Sequence, residues 1–141
     1  MTVLWTISHA TRLVVISASG VVRLEDMQEC VRGIVMPATL SYRKLIDLVE
    51  GELALSRDGI VALAEYVRAN RGTGPTGALA IAVGSDDVEQ GARLFESLTV
   101  ADRPVKIFRE REAARAWLEA QPAPALPAWL EDDASSAGEA A

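Results

Sequence analysis

The sequence predicts an α/β fold with a mixed, mostly parallel sheet of five strands and about four helices. Short apolar runs rich in Val and Ile alternate with segments whose apolar residues recur at helical spacing. The first two runs are separated only by a short polar break, which is typical of a hairpin. The predicted order is therefore ββαβαβαβα. Because strand-helix-strand units cross over in one hand, most strands should be parallel and the first antiparallel to the second.

Residues 3–8 and 12–18 form the predicted hairpin, with His9 in the turn. No neighbouring residues would complete a catalytic triad or a metal site around His9, so we assign it no function. The apolar run 13–18 is not interpreted as a secretory signal, because no basic region precedes it and Arg12 lies beside it.

Residues 24–35 form the first predicted helix, which Pro37 ends because proline disfavours a continuing helix. Cys30 shares the apolar face of this helix and is predicted to be a buried core residue rather than a reactive thiol. The apolar residues at helical spacing are Leu24, Met27, Val31, Ile34 and Val35.

The stretch 43–70 organises the rest of the chain. Residues 45–49 are apolar around Asp47, which predicts a central strand buried on both faces. Asp47, at the expected strand end, is interpreted as a partner of loop amides rather than a general acid or base. We place a loop at residues 50–59, at the carboxyl end of this strand, where open α/β sheets position ligand and partner sites. The helix that follows has its apolar stripe at Ile60, Leu63, Ala64 and Val67.

A glycine-rich loop, residues 70–77, leads to a strand at 79–83. It is not a phosphate loop, because it follows a helix and lacks the Gly-Lys-Ser/Thr ending. Asp86 and Glu89 predict a capped helix start, and Glu89 is spaced to pair with Arg93. The apolar stripe of this helix is Val88, Ala92, Phe95 and Leu98.

The last two elements are a Pro-led strand at 104–108, suited to a sheet edge, and a helix at 110–120. Residues 1–120 are thus predicted to form one domain, and residues 121–141 a tail rich in Pro, Ala and acids. Leu126, Trp129 and Leu130 interrupt the polar character of the tail and are candidates to dock on the domain or on a second copy. The final helix is predicted to face the sheet with Ala113, Ala114, Trp117 and Leu118.

Composition narrows the classes of function. The formal net charge is -6, and the Lys and Arg residues are scattered, which disfavours nucleic-acid binding. The single cysteine excludes a disulfide within the chain and fits a reducing compartment. No apolar run approaches the roughly 18 residues of a membrane span. We therefore expect a cytoplasmic protein.

The central segment resembles that of STAS domains, the anti-sigma-factor antagonist fold. Residues 45–48 (LIDL), 55–60 (LSRDGI) and Leu63 are similar to an apolar strand ending in Asp, followed by Asp-Ser-Ser/Thr-Gly-Leu at a helix start. The SpoIIAA-like branch is the closer match, with a strand glycine before an acidic helix start, an Ala-Arg-aliphatic-Phe helix and an Ala-x-x-Trp-Leu ending. The matching segments are 20–26, 92–95, 107–108 and 114–118, and the resemblance spans residues 3–120.

The resemblance implies a regulatory module of bacterial type that binds a protein partner through Ser56, Arg57, Asp58 and Gly59. In many members a serine of this motif is phosphorylated, and phosphorylation switches partner binding. Aligned on Gly59, the chain has Arg57 at that serine. The phosphoserine switch is therefore not expected, and Ser56, one position earlier, is the candidate phosphoacceptor only if the register shifts. We instead predict that Ser56 caps the following helix.

No nucleophile, base and orienting residue stand together in the sequence, so we predict a non-enzymatic protein without catalytic residues, metal or cofactor. The partner is an unidentified protein or a second copy in a homodimer. The alternative is a carrier of a small apolar or lipid-like ligand, since the SpoIIAA-like fold resembles that of CRAL-TRIO lipid-binding domains. That alternative predicts a cavity of several hundred Å³, lined by residues such as Met27, Val31 and Phe95.

Overall fold

The computed structural model describes residues 2–34, 39–70, 76–99 and 103–122. Within these ranges the chain forms five strands and four helices in the predicted order. The strands are β1 (Thr2–Ser8), β2 (Leu13–Val22), β3 (Arg43–Leu53), β4 (Leu79–Val83) and β5 (Val105–Phe108). The helices are α1 (Leu24–Gly33), α2 (Arg57–Asn70), α3 (Asp86–Thr99) and α4 (Arg111–Glu119).

The strands lie in the order β1-β2-β3-β4-β5, so each strand is next to its neighbour in sequence. The β1–β2 pair is antiparallel, and the three other pairs are parallel. This confirms the predicted mixed sheet and places the Pro-led strand β5 at one edge. The hairpin β1–β2 forms the other edge, which leaves β3 at the centre.

The two faces of the sheet carry different helices, and β4 shows how the sequence separates them. Its larger side chains join the core under α1, α2 and α3, whereas its alanines join the core under α4. Small side chains allow a helix to approach a sheet closely, and Ala114 of α4 is fully buried there. The larger residues of β4 are Leu79, Ile81 and Val83, and the small ones on the other face are Ala80 and Ala82.

The core under α1, α2 and α3 is the larger of the two. It contains Cys30, which is fully buried as predicted. Burial raises the pKa of the Cys30 thiol to about 12, so the thiolate that reacts with electrophiles is scarce at neutral pH. Helix α1, which carries Cys30, ends at Gly33. Val35 and Pro37, which the sequence places at the end of this helix, lie outside the described residues.

Helix α4 covers the opposite face over β3, β4 and β5. Trp117 packs against Phe108 with ring centroids 5.9 Å apart, and Leu118 is buried. The prediction that Ala113 faces the sheet is wrong, because Ala113 is exposed. Successive helical residues are rotated by about 100°, so a stripe centred on Ala114, Trp117 and Leu118 leaves Ala113 at its solvent side.

The predicted end of the central strand is also wrong. Strand β3 continues to Leu53, so residues 50–53 belong to a strand rather than to the predicted loop, and Asp47 lies in mid-strand. Pairing with β2 resumes beyond a bulge between Ser17 and Ser19, where β3 continues opposite residues 19–22. Gly51 permits this approach, since a Cβ there would lie 3.2 Å from the carbonyl oxygen of Ala18.

Helix α3 has a capped start, but the capping residue differs from the prediction. Ser85 is the cap, and its Oγ accepts a hydrogen bond from the Val88 N–H at 3.3 Å. Asp86 and Glu89 instead form ion pairs with Arg109, which follows β5. The predicted Glu89–Arg93 pair is present at 3.4 Å.

None of the helices in the described ranges has the length and apolar character needed to cross a membrane.

Candidate functional site

The first turn of α2 carries the residues that the sequence predicts as an interaction loop. Ser56 immediately precedes the helix, and its Oγ accepts a hydrogen bond from the Gly59 N–H at 3.1 Å. The Ser56 carbonyl oxygen accepts from the Ile60 N–H at 3.0 Å. Ser56 is therefore the N-cap, as predicted, and its hydroxyl satisfies one of the free amides of the helix start.

The four residues of the predicted interaction loop, 56–59, lie together, but at the start of a helix rather than on a loop. Arg57, Asp58 and Gly59 are helical, and because β3 continues to Leu53 the connection is only residues 54–56. Ser56, Arg57 and Asp58 are exposed, whereas Gly59 is half-buried. A Cβ at Gly59 would lie 3.5 Å from the Cβ of Leu55, an ordinary contact.

The exposed turn presents two opposite charges on adjacent residues. Within the described part of the chain, neither Arg57 nor Asp58 forms an ion pair with another side chain. Asp58 lies in the first turn of the helix, where the helix dipole favours a negative charge. The arrangement leaves a cation and an anion available to a partner on a rigid helical support.

Asp47 does not take part in this surface. Its side chain lies on the α4 face, is 15% exposed and pairs through Oδ2 with the Arg111 Nε at 3.0 Å. Its Oδ1 accepts a hydrogen bond from the Val49 N–H at 3.1 Å. Asp47 therefore binds a backbone amide, but an amide of its own strand rather than of a loop, because β3 continues past it.

A second feature is a cavity of about 90 Å³ between the sheet and helices α1, α2 and α3. Met27, Val31 and Phe95, the three residues named from the sequence, all line it. The volume is smaller than the several hundred Å³ expected for a drug-sized ligand. The lining is almost entirely aliphatic and aromatic, so the cavity suits a small apolar group.

The cavity reaches the start of α2. Leu53, Leu55 and Ile60 line this end, and Leu55 directly precedes the cap residue Ser56. Gly91 of α3 also lines it, and a Cβ there would lie 3.0 Å from Leu53 Cδ1 and 3.1 Å from Ile60 Cδ1. Glycine thus lets α3 approach β3 and α2 here, at a cost to helix propensity of roughly 1 kcal/mol relative to alanine.

Lys44 and Arg103 line the cavity at the other end, and neither residue was selected as a candidate from the sequence. Lys44 is 3% exposed, and burial, followed by repulsion from Arg103, lowers its pKa to about 7. Its Nζ donates hydrogen bonds to the carbonyl oxygens of Thr39 at 2.6 Å, Leu40 at 3.4 Å and Tyr42 at 3.2 Å. Alternate residues of a strand face the same side, so Lys44 is expected on the same face as Ile46 and Leu48. This alternation is the sequence signal that could have identified Lys44 as a cavity residue.

His9 lies in the β1–β2 turn, where the sequence places it. Its Nδ1 is 2.7 Å from the Tyr42 hydroxyl, and the two rings meet edge to face with centroids 5.6 Å apart. This contact ties the hairpin turn to the residues that precede β3. No cluster of three or more His, Cys, Asp or Glu suited to a metal ion occurs in the described ranges.

The tail residues Leu126, Trp129 and Leu130 lie outside the described residues.

The fold has a solved counterpart. A crystal structure of an uncharacterized protein from Shewanella loihica, of the DUF3478 family and with a SpoIIAA-like fold, superposes with a TM-score of 0.55 at 18% sequence identity. The match covers 83% of this chain and 92% of that one. No protein-family model and no curated protein matches the chain. The predicted SpoIIAA-like fold is therefore confirmed, and at this identity the likeness concerns the fold alone.

The Ser56 cap gives a direct prediction. Ser56→Ala should lower the free energy of unfolding by about 1 kcal/mol, because the Gly59 N–H loses its acceptor. Ser56→Asp should retain the stability, since aspartate also caps helices and adds a favourable charge at the helix start. Urea denaturation followed by circular dichroism measures both. Equal stability of wild type and Ser56→Ala would contradict the assigned cap.

Lys44 predicts a pH dependence of stability. Its pKa falls from 10.5 to about 7 on folding, so between these values the unfolded chain binds more protons and stability rises with pH. Above pH 9 the buried thiol of Cys30, with its pKa raised from 9.0 to about 12, acts in the opposite direction. Between pH 7 and pH 9, wild type should therefore gain more stability than Lys44→Met. Urea titrations of both proteins test this, and parallel pH profiles would refute it.

Proposed function

We propose that the chain is a non-enzymatic, STAS-like regulatory module that binds a protein partner through the first turn of α2. The observation that carries this proposal is the exposed pair Arg57 and Asp58 on a capped helix start. A capped turn is already ordered, so binding there costs little conformational entropy. The SpoIIAA-like fold supports the assignment by analogy.

The proposed module works without the phosphoserine switch of the family it resembles. Arg57 occupies the position of that serine, and an arginine side chain is not a phosphate acceptor. The neighbouring hydroxyl of Ser56 is engaged in the helix cap. Recognition is therefore proposed to depend on the fixed charges of Arg57 and Asp58, with complementary charges on the partner.

A non-enzymatic role also fits the chemistry of Asp47. Its carboxylate is held by Arg111 and by the Val49 amide, so both oxygens are engaged. The sequence likewise predicts no set of nucleophile, base and orienting residue, so the proposal includes no catalytic step. The proposed setting is the cytoplasm, where the single buried Cys30 would stay reduced.

Charge reversal tests the partner face. The double variant Arg57→Glu/Asp58→Arg keeps the net charge and should lose the partner, since both charges would meet like charges. The matched control is Arg115→Glu/Glu119→Arg, which reverses two exposed charges of α4 on the opposite side of the sheet. Affinity capture from extracts of the producing cells, quantified by mass spectrometry, compares the three proteins. Retention of every partner by the α2 variant would refute the proposal.

A second candidate function is that of a carrier for a small apolar ligand, and the cavity lined by Met27, Val31 and Phe95 favours it. An engineered apolar cavity of roughly 150 Å³ binds benzene or xenon. The present volume of about 90 Å³ accordingly limits the ligand to a smaller apolar group. Because the cavity ends below Ser56, a bound ligand would lie directly under the proposed partner face.

Xenon tests whether the cavity accepts a ligand. Pressurised xenon should shift the NMR signals of the Met27 methyl group and the Phe95 ring in wild type. Ala92→Leu places a larger side chain in the cavity, so it should abolish these shifts and raise the free energy of unfolding by about 0.5–2 kcal/mol. Ala116→Leu, at an exposed position of α4, is the matched control and should leave the shifts intact. Unchanged signals in wild type would eliminate this candidate.

A further inference from the structure

The described residues cover only part of the sheet face that carries α4. Helix α4 packs on β3, β4 and β5, while β1 and the far half of β2 extend beyond it. On this face Leu4 is 64% exposed, and it pairs with the exposed Ser17. The other apolar side chains of β1, which are Val3, Trp5 and Ile7, are half-buried against the core of the opposite face.

A groove of about 290 Å³ lies between α4 and this uncovered part of the sheet. Its lining combines the apolar side chain of Leu4 with side-chain hydrogen-bond acceptors. A tryptophan has the same two properties, because its ring is apolar and its indole N–H is a donor. The polar residues that line the groove are Ser17, Ser19, Asp47, Glu50 and Arg111.

The C-terminal end of α4 lies beside the part of the sheet that α4 leaves uncovered. The helix starts beside Asp47, where Arg111 pairs with it, and ends beside Arg43. Arg43 donates through Nη1 to the Leu118 carbonyl oxygen at 3.5 Å and through Nη2 to the Thr11 carbonyl oxygen at 2.9 Å. The end of α4 is thereby fixed next to the β1–β2 turn, at the start of β2.

The segment that follows has the reach and composition to fill the groove. From the start of β2 to Ser17 is about 13 Å along the strand. Residues 122–129 span up to about 24 Å when extended, so the chain is long enough for Trp129 to reach the groove. Residues 122–130 carry no charge, and three of the nine are proline, which cannot donate to a strand ladder. They therefore suit a sheet face rather than pairing with the β1 edge.

We infer that residues 126–130 of the chain dock on its own β1–β2 face, with Trp129 in the groove beside Leu4, Ser17 and Glu50. Covalent connection gives the segment an effective concentration on the order of millimolar, which favours its own domain over that of a second copy. Trp129 and Leu126 bury apolar surface against Leu4, and the indole N–H bonds an acceptor of the groove. The docking completes the cover of the sheet and is independent of what binds α2.

A spin label on the full-length chain tests the docking. Ala128→Cys supplies the attachment site next to Trp129, while Cys30 is fully buried and stays unmodified, as labelling of wild type will verify. Amide NMR signals of Leu4, Val15 and Ser17 should lose most of their intensity. Signals of Arg32 and Arg93, on helices of the other face, should lose much less.

Two further variants and one mixed sample make the test decisive. Trp129→Ala and Leu4→Asp, each in the labelled chain, should restore the signals of Val15 and Ser17, whereas Trp129→Phe should keep them weak. Absence of localised loss, or loss centred on α1 and α3, would overturn the docking. Equal loss when a spin-labelled chain is mixed with an isotope-labelled one would overturn it as well, in favour of exchange between two copies.

Discussion

Parallel pairing of β3 with both β2 and β4 is the constraint on which the other features depend. Because β3 is the central strand, its alternate side chains reach both layers, with Lys44 and Leu48 toward three helices and Leu45 and Asp47 toward α4. The pairing continues beyond the bulge to Leu53, so the chain enters α2 after only three connecting residues. A short connection fixes the position of the α2 start relative to the sheet. The positions of the exposed charges of Arg57 and Asp58 are therefore fixed relative to the core of the domain.

The two layers of helices give the faces different properties. Large side chains under α1, α2 and α3 build the main core, yet they leave a cavity beside Gly91, where α3 approaches β3 and α2. Alanines of β4 under α4 allow close packing on the other face, but one helix does not cover five strands. Within the described residues, packing is thus incomplete both at an internal cavity and at a surface groove. The surface groove is lined mainly by strand residues, whereas the cavity is enclosed by strands on one side and by helices α1, α2 and α3 on the other.

A shared fold leaves the chemistry of the site undetermined. The likeness to a SpoIIAA-like structure extends over most of both chains, while only 18% of the residues are identical. The proposed partner face differs from the motif of STAS domains at the residue that would accept a phosphate, where this chain has Arg57. Arginine has no hydroxyl group, so the serine phosphorylation of that family has no acceptor at this position. Regulation, in the function proposed here, must come from the partner or from a ligand beneath the helix.

The sequence by itself determined the order of the elements, the hairpin and the serine cap, because these depend on interactions between residues close in the chain. Apolar spacing of 2 or 3.6 residues and a serine three positions before Gly59 are local signals. It likewise selected Met27, Val31 and Phe95 together, since each lies on the apolar face of its helix. Only the tertiary structure decided where β3 ends, because that depends on how residues 19–22 of β2 pair across a bulge. The burial of Lys44 and the open face beside Leu4 were also decided there, because each results from contacts between elements far apart in sequence, and no local periodicity encodes which neighbours will cover a residue.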